Sequence, residues 1–389
     1  MLLSQISCMG DKTVSSTANS RRPELDGLRA IAILLVLFSH HFAAVPVDGV
    51  RKLAAVGWVG VDLFFVLSGF LIGGILLDQR TATNYYRVFY LRRFLRIVPL
   101  YALILVPGLL ILGLGLQSYF AGHSLGDKSS AGIWLCPFFL QNFGAVLALN
   151  APAYLGPTWS VAVEEQFYLL LPPVIRRAGT KKLLTILALA IGFAPMLRGI
   201  LLWIFKDQAG LACYVLLPCR WDSLLLGVVA AVVYREPRLR NWLTGQLHWL
   251  RVFWWVAAAL SAAILLNSDS RLNEQLAFLG YTLIDSFFAC TLLLAVLNPL
   301  GHLCRGLSLP VFKPIAVISY GLYLLQSPMQ AIVESGFRFA HIQYDSNGWG
   351  PTGVALVALA GTFVAAAISW KFYESRLIRL GHQAQYKTA

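Results

Sequence analysis

Eight ionisable side chains lie inside long apolar stretches of this sequence, where neither water nor a neighbouring loop solvates a charge. Such residues are costly in an apolar environment and are usually retained where they bind a ligand, transfer protons or pair with one another. They are therefore the first candidates for chemistry: His40, His41, Asp62, Glu164, Glu165, Arg198, Asp222 and Asp285.

His40 is a candidate general base, and its spacing from Arg29 predicts its position. The two residues are eleven apart, almost three whole helical turns, so their side chains share one helix face. If Arg29 marks the inner membrane interface, His40 lies about 16 Å above it, near mid-membrane. Each residue also has a simpler interpretation, Arg29 as an interfacial anchor and His40 as a partner in an interhelical hydrogen bond.

Glu164 is a candidate partner for that histidine. Counting back from Arg176, placed at the inner face, helical rise puts Glu164 about 18 Å deep, level with His40. A carboxylate there would orient the imidazole and stabilise its protonated form. Glu165 is the alternative partner, because adjacent residues point about 100° apart on a helix. A structural carboxylate bonded to another helix is the simpler interpretation.

Arg93 and Arg96 precede an apolar segment and are three residues apart, so they are neighbours on a helix. Two guanidinium groups in this arrangement can hold phosphates through bidentate hydrogen bonds. Plain anchoring at the inner membrane face is the competing interpretation.

The elements that must position these residues are membrane helices. Hydrophobic residues make up 58% of the 389 residues and charged residues only 13%, whereas soluble domains have about 25% charged residues. No metal-ligand spacing occurs among the six cysteines, so no metal site is predicted. The long apolar segments are 28–46, 57–77, 96–116, 132–175, 183–204, 221–236, 251–268, 276–298, 314–333 and 352–372.

The distribution of positive charge predicts ten crossings. The segment 132–175 is too long for one helix, and the breaks at Pro152 and Pro157 allow either a re-entrant stretch or an eleventh crossing. Ten crossings with both termini in the cytosol put 23 of the 31 Lys and Arg residues inside and seven outside, with Arg198 within a helix. The seven predicted outside are Arg51, Lys52, Lys128, Lys206, Arg220, Arg271 and Arg338. An eleventh would reverse everything after residue 150 and spoil this bias. The net charge of +13 is therefore attributed to membrane anchoring, and no nucleic-acid partner is predicted.

Six motifs in order resemble the acyltransferase-3 superfamily of integral membrane acyltransferases. They extend over nearly the whole chain, from Arg22 to about Leu377. The motifs are Arg22-Pro23-Glu24-Leu25-Asp26-Gly27-Leu28-Arg29-Ala30-Ile31-Ala32 running on to His40, Gly60-Val61-Asp62 through Ile72, Arg93-Phe94-Leu95-Arg96-Ile97-Val98-Pro99, Thr158-Trp159-Ser160 through Tyr168, Arg220-Trp221-Asp222-Ser223-Leu224, and Ile318-Ser319-Tyr320 through Leu324.

The resemblance implies an all-α membrane domain, spanning residues 21–378, of ten helices with an additional re-entrant or partial segment. A disordered cytosolic tail (1–20) and a cytosolic C-terminal tail (379–389) are expected to flank it. It also implies transfer of an acyl group, most commonly acetyl, from cytosolic acyl-CoA to a hydroxyl of a surface or secreted glycan, or of a lipid-linked sugar, at the bacterial cytoplasmic membrane. His40 and Glu164 would be catalytic, and Arg93, Arg96 and Arg29 would bind the donor. The expected supporting residues are Asp26, Asp62, Ser68, Trp159, Glu165, Asp222 and Tyr320.

Two other functions stay open at this point. Within the same chemistry, the acceptor would be a small hydrophobic molecule such as a macrolide. From another class, a proton-coupled transporter also uses intramembrane His and Glu residues as a relay. The paired arginines and the absence of an internal repeat favour acyl transfer over transport.

The charge distribution predicts the sidedness of the loops. Reporter tags at residues 1, 180, 243 and 389 should face the cytosol, and tags near 125, 270 and 345 should face outside. The measurement is reporter-fusion activity or cysteine labelling in intact cells. A tag at residue 180 that faces outward would contradict the ten-helix topology.

Overall fold

The computed structural model describes residues 22–43, 45–114, 130–149, 151–206, 209–268, 270–340 and 349–387, and these ranges form helices and no strands. The α-helices of the first half of the chain are α1 (Pro23–Phe42), α2 (Asp48–Val56), α3 (Val59–Asp78), α4 (Tyr85–Gly113), α5 (Gln141–Val146), α6 (Trp159–Arg177), α7 (Thr180–Phe205) and α8 (Ala209–Val215). Those of the second half are α9 (Leu217–Arg235), α10 (Pro237–Gly245), α11 (Leu247–Leu266), α12 (Tyr281–Leu297), α13 (His302–Leu307), α14 (Phe312–Val317), α15 (Ser319–Phe339), α16 (Gly350–Ser369) and α17 (Ser375–Gln383).

Among the described residues, eight helical stretches are long and apolar enough to cross a membrane. They contain α1, α2 with α3, α4, α7, α8 with α9, α11, α12, and α16 with α17. The prediction of an all-α polytopic membrane protein is therefore confirmed.

Two more helices have spanning length but carry more polar residues. Helices α6 and α15 have 19 and 21 residues, about 28 and 31 Å at the normal helical rise, which matches a hydrocarbon core of about 30 Å. With these two, ten helical stretches in the described part of the chain have the length to cross, as the charge distribution predicted.

The apolar stretch predicted at 132–149 does not form a spanning helix. It folds as a 3₁₀ segment, Ser130–Phe138, followed by the six-residue α5. A second 3₁₀ segment, Ala153–Thr158, leads directly into α6. Pieces this short cannot cross the bilayer, so the eleven-helix alternative is wrong for the described residues.

Helix α3 lies at the centre of the bundle and contacts α1, α6, α9 and α12. In the apolar part of the stretch Asp48–Asp78, which contains α2 and α3, 78% of the residues are buried, against 17% in α11. Helix α11 and much of α7 therefore present apolar side chains to lipid, whereas α3 is surrounded by protein. Residues on α3 are the ones that neighbouring helices hold most firmly.

The two predicted tails have different outcomes. The N-terminal tail, 1–20, lies outside the described residues. The C-terminal boundary stays a prediction, and residue 379 lies inside α17. The chain after α17 packs on α4: Arg92 Nε and Nη2 donate to the carbonyl oxygen of Ala384 at 3.1 and 2.7 Å, and Asn84 Nδ2 donates to that of Gln385 at 2.9 Å.

Close packing of α3 against α9 depends on two glycines. A Cβ atom on Gly69 would overlap the carbonyl oxygen of Leu224, and one on Gly227 would overlap that of Val66. Gly69→Ala should therefore force the helices apart and destabilise the protein by about 1–3 kcal/mol, the usual range for overpacking. The measurement is the thermal unfolding midpoint in detergent.

Gly192→Ala on α7 is the matched control, because nothing lies within 4 Å of a Cβ there. This substitution should leave the midpoint unchanged or raise it, since alanine favours a helix interior. Equal midpoints for Gly69→Ala and the wild type would mean that α3 and α9 are not in such close contact.

Candidate active site

A cavity of about 230 Å³, which we call the first cavity, lies between α1, α3, α4, α6 and α15. Three cationic side chains line it, Arg29 from α1 and Arg93 and Arg96 from α4. Glu164 of α6 is the carboxylate in its wall. The other walls are largely aromatic and aliphatic, so the cavity combines a cationic region with an apolar interior.

The arginine side chains of α4 point in different directions. Arg93 and Arg96, three residues apart, both line the first cavity, whereas Arg92 turns toward the C-terminal segment and lies over the ring of Tyr386 at 5.0 Å. Arg93 Nε is buried without a hydrogen-bond partner among the described residues. The predicted pairing of Arg93 with Arg96 is thus present, and an unused donor remains for an anionic ligand.

Glu164 belongs to a polar group in the wall of the first cavity. It is close to Ser68 and Tyr168, and Arg93 and Arg96 are near enough to stabilise its negative charge. The Ser68 and Tyr168 hydroxyl oxygens are 2.5 Å apart, which joins α3 to α6. This carboxylate therefore belongs with the arginines.

A second cavity, of about 380 Å³, contains His40, whose ring is exposed there. Its walls come from α1, the start of α3, residues 141–159, α8, α15 and the turn at residue 271. Its larger side chains include Trp58, Trp159, Tyr214 and Arg271. No Asp or Glu is among the described residues that line it.

The structure does not bring His40 and Glu164 together. They line different cavities, and Glu165 lines neither and lies near Arg93 instead. The depth estimate used Arg29 as the interface, but α1 begins six residues earlier, at Pro23. Measured from Pro23, His40 is about 26 Å along its helix, whereas Glu164 is about 20 Å from the end of α6. The expected contact between histidine and glutamate is therefore absent.

The two cavities adjoin at Val61 and Tyr323, which line both. Tyr323 is 8% exposed. Its hydroxyl donates to the carbonyl oxygen of Pro157 at 2.8 Å and lies 2.5 Å from Ser160 Oγ. Pro157 lines the second cavity and Ser160 the first. One hydrogen-bonded tyrosine thus forms much of the partition between them.

Some of the predicted supporting residues line a cavity and others do not. Ser68 and Tyr320 line the first cavity, with the Tyr320 hydroxyl donating to the Ile97 carbonyl oxygen at 2.8 Å, and Trp159 lines the second. Asp26 is buried, with Oδ1 3.7 Å from Arg29 Nη1. Asp62 and Asp222 line neither cavity.

Asp62 and Asp222 instead belong to a buried ionic cluster. Asp62 forms an ion pair with Arg220, and Asp222 Oδ2 is 2.9 Å from Arg198 Nη1; all four side chains are fully buried. Arg220, which the charge distribution placed outside, therefore lies within the bundle. Asp285, the fifth member, accepts a hydrogen bond from Ser223 at 2.6 Å. The cluster lines neither cavity and connects α3, α7, α9 and α12 inside the bundle.

Sequence reasoning missed two residues that the cavities make prominent, Arg271 and Tyr323. Arg271 had been counted with the external loop charges, and Tyr323 had been noted only as part of a motif. Neither position shows a spacing signal, because each meets its cavity through segments far apart in the chain. His41 behaves as a structural residue: it is buried, and its Nδ1 is 3.0 Å from the Leu37 carbonyl oxygen.

Comparison with known proteins finds relatives of similar sequence. The chain is 26% identical over 385 residues to the peptidoglycan O-acetyltransferase OatA of Listeria monocytogenes, covering 96% of this chain and 58% of that protein. It is 28% identical over 317 residues to YrhL of Bacillus subtilis, whose name provisionally assigns the same activity, covering 79% and 48%.

The chain thus spans about half the length of these relatives. No solved structure matches it significantly. Residues 22–371 match the family described as an acyltransferase domain. All the described residues that line the two cavities lie within this range. The chain therefore belongs to the acyltransferase domain family.

Proposed function

We propose that this protein is a membrane-bound O-acyltransferase that moves an acyl group, most simply acetyl, from acyl-CoA to a hydroxyl of a cell-surface glycan. The observation that carries the proposal is the pair of adjoining cavities, one with paired arginines and the other with a histidine. The names of the relatives support an O-acetyltransferase and a peptidoglycan-type acceptor.

The first cavity has the chemistry to hold the donor. Coenzyme A carries phosphates at one end and a thioester at the end of a long, flexible chain. Arg93, Arg96 and Arg29 offer planar guanidinium groups to the phosphates, and guanidinium groups bind phosphate by paired hydrogen bonds. The apolar walls beyond them, including Phe64 and Leu71, suit the rest of the chain.

The second cavity has the chemistry to hold the acceptor. Trp58, Trp159 and Tyr214 provide flat apolar surfaces against which sugar rings can pack, and polar groups between them can fix orientation. His40 takes the proton of the acceptor hydroxyl as its oxygen attacks the thioester carbon. The carbon–sulfur bond then breaks, and the departing CoA thiolate recovers that proton, so that the products are the ester and free CoA.

We propose that the protein lies in the cytoplasmic membrane with both termini in the cytosol, and the charge distribution supports this orientation. Arg29, Arg93 and Arg96 lie in the halves of their helices that the charge distribution assigns to the cytosol. His40 is two residues from the other end of α1. Acyl-CoA would enter from the cytosol, and the glycan would approach from outside.

The donor assignment predicts a specific effect of changing the two arginines to lysine. Arg93→Lys and Arg96→Lys keep the positive charge but lose the planar, bidentate geometry. Each should weaken acyl-CoA binding about tenfold or more, the usual effect of losing one hydrogen bond to a charged group. The measurement is the dissociation constant of acetyl-CoA for the purified protein.

Arg87→Lys is the matched control, because Arg87 lies on the same helix but is exposed and outside the cavity. It should bind acetyl-CoA like the wild type. If both cavity variants also bind normally, the arginines are only membrane anchors and the donor assignment is wrong.

The assignment of His40 as the base predicts loss of transfer without loss of donor binding. His40→Ala should lower the rate about 10²–10⁴-fold, the usual contribution of general-base catalysis. Acetyl-CoA affinity should be unchanged, because His40 is not in the first cavity. The measurements are acetyl transfer in membranes and mass spectrometry of surface glycans from a deletion strain carrying each variant.

His41→Gln is the control for His40, since His41 is adjacent in sequence but lines neither cavity. It should restore glycan acetylation to the deletion strain. Near-normal transfer by His40→Ala would overturn the mechanism, and unchanged glycan acetylation on deleting the gene would overturn the proposed acceptor.

A further inference from the structure

We infer that the acceptor carries an anionic group, a carboxylate or a phosphate, near its reacting hydroxyl, and that Arg271 binds this group in the second cavity. The inference rests on the proposed function, since it names the acceptor class of the same site. It depends on the surroundings of Arg271 and on the composition of the cavity walls.

Arg271 lies in the turn between α11 and α12 and lines the second cavity together with His40. Its guanidinium carbon is 5.0 Å from the centre of the Tyr214 ring, which supports the side chain from one side. The Tyr281 hydroxyl donates to the Arg271 carbonyl oxygen at 2.5 Å, which fixes the backbone of the turn. The cation is therefore held at a defined position in the cavity wall.

Among the described residues, Arg271 has no acidic partner, unlike the arginines inside the bundle. Arg198 and Arg220 are each paired with an aspartate. Within the described ranges, no carboxylate lies within 4 Å of the Arg271 side chain, and no acidic residue lines the second cavity. Arg271 is exposed and lines the second cavity, so a ligand in the cavity can reach its guanidinium group. This positive charge favours an anionic ligand, because guanidinium groups form charge-assisted hydrogen bonds with anions.

A further polar atom in the same wall is also unused. Gln141 is 7% exposed, its Nε2 donates to the Thr158 carbonyl oxygen at 2.9 Å, and its Oε1 has no partner among the described residues. An amide oxygen held in this way can accept a hydrogen bond from a sugar hydroxyl. The cavity therefore offers an acceptor for a hydroxyl, a cation for an anion and flat rings for an apolar face.

These features fit an acidic sugar or a sugar phosphate better than a neutral one. A guanidinium group forms paired hydrogen bonds with carboxylate and with phosphate, so both sources share the recognition chemistry. The phosphates of the donor do not explain Arg271, because the cationic groups proposed to bind them line the first cavity. Arg271 is thus a specificity-determining residue for the acceptor.

The test compares matched acceptors on the purified full chain in lipid nanodiscs. The carboxylate probe is the disaccharide of N-acetylglucosamine and N-acetylmuramic acid, and its neutral counterpart is the methyl ester. The phosphate probe is N-acetylglucosamine 1-phosphate, compared with N-acetylglucosamine. Binding is measured calorimetrically without donor, and KM and kcat are then measured with acetyl-CoA.

The wild type should bind at least one anionic probe about tenfold or more tightly than its neutral counterpart, and the preferred pair identifies carboxylate or phosphate as the source. Arg271→Gln should remove this preference by raising Kd and KM for the anionic probe. It should leave kcat and the values for the neutral probe within about twofold. Arg271→Lys, which keeps the charge, should retain part of the preference.

Arg51→Gln is the control, because Arg51 is exposed, is predicted on the same side of the membrane and does not line the cavity. Equal wild-type binding of each anionic probe and its neutral counterpart would overturn the inference, as would a preference that survives in Arg271→Gln. Equal rates of transfer to the neutral and the anionic probes would also overturn the inference, but they would leave the proposed function intact. Selective anion binding without any acyl transfer would support the anion site and overturn the proposed function.

Discussion

The Arg220–Asp62 ion pair joins α9 to α3 where neither side chain has any exposed surface, and the rest of the bundle depends on it. Removing one partner of a buried pair typically costs about 3–5 kcal/mol, because the other charge remains unpaired. The pair therefore fixes the rotation of α3 about its axis. With Asp62 turned toward α9, the adjacent face of α3 presents Val61, Phe65 and Ser68 to the first cavity.

The same constraint sorts the other charges of the bundle. Inside a membrane protein a charged side chain is stable when it is paired or when it faces a polar cavity. Arg198 and Asp222 satisfy the first condition, and Arg93, Arg96 and Arg271 satisfy the second. A charged residue inside an apolar segment is therefore not by itself a functional candidate. It becomes one when its side chain also lines a cavity.

This distinction explains how much the sequence could predict. Hydropathy and charge bias predicted the helices, because both follow directly from the solvent that each segment meets. The spacing of Arg93 and Arg96 predicted their shared cavity, since neighbours on one helix need no tertiary information. The expected contact of His40 with Glu164 required the relative positions of α1 and α6, which a sequence pattern does not contain, and the two residues line different cavities. Arg271 and Tyr323 acquire their roles only from contacts between segments distant in sequence.

Separate cavities also suit a reaction whose two substrates are proposed to meet from opposite sides of a membrane. In the proposed reaction, CoA would stay on one side with its phosphates bound by the arginines, and only the acyl group would need to reach His40. The junction at Val61 and Tyr323 is then the place where thioester and hydroxyl come into contact. The hydrogen bonds of Tyr323 to Pro157 and Ser160 close this junction in the present structure. A tyrosine held in this way separates the two cavities, and excluding water from a thioester would limit its hydrolysis.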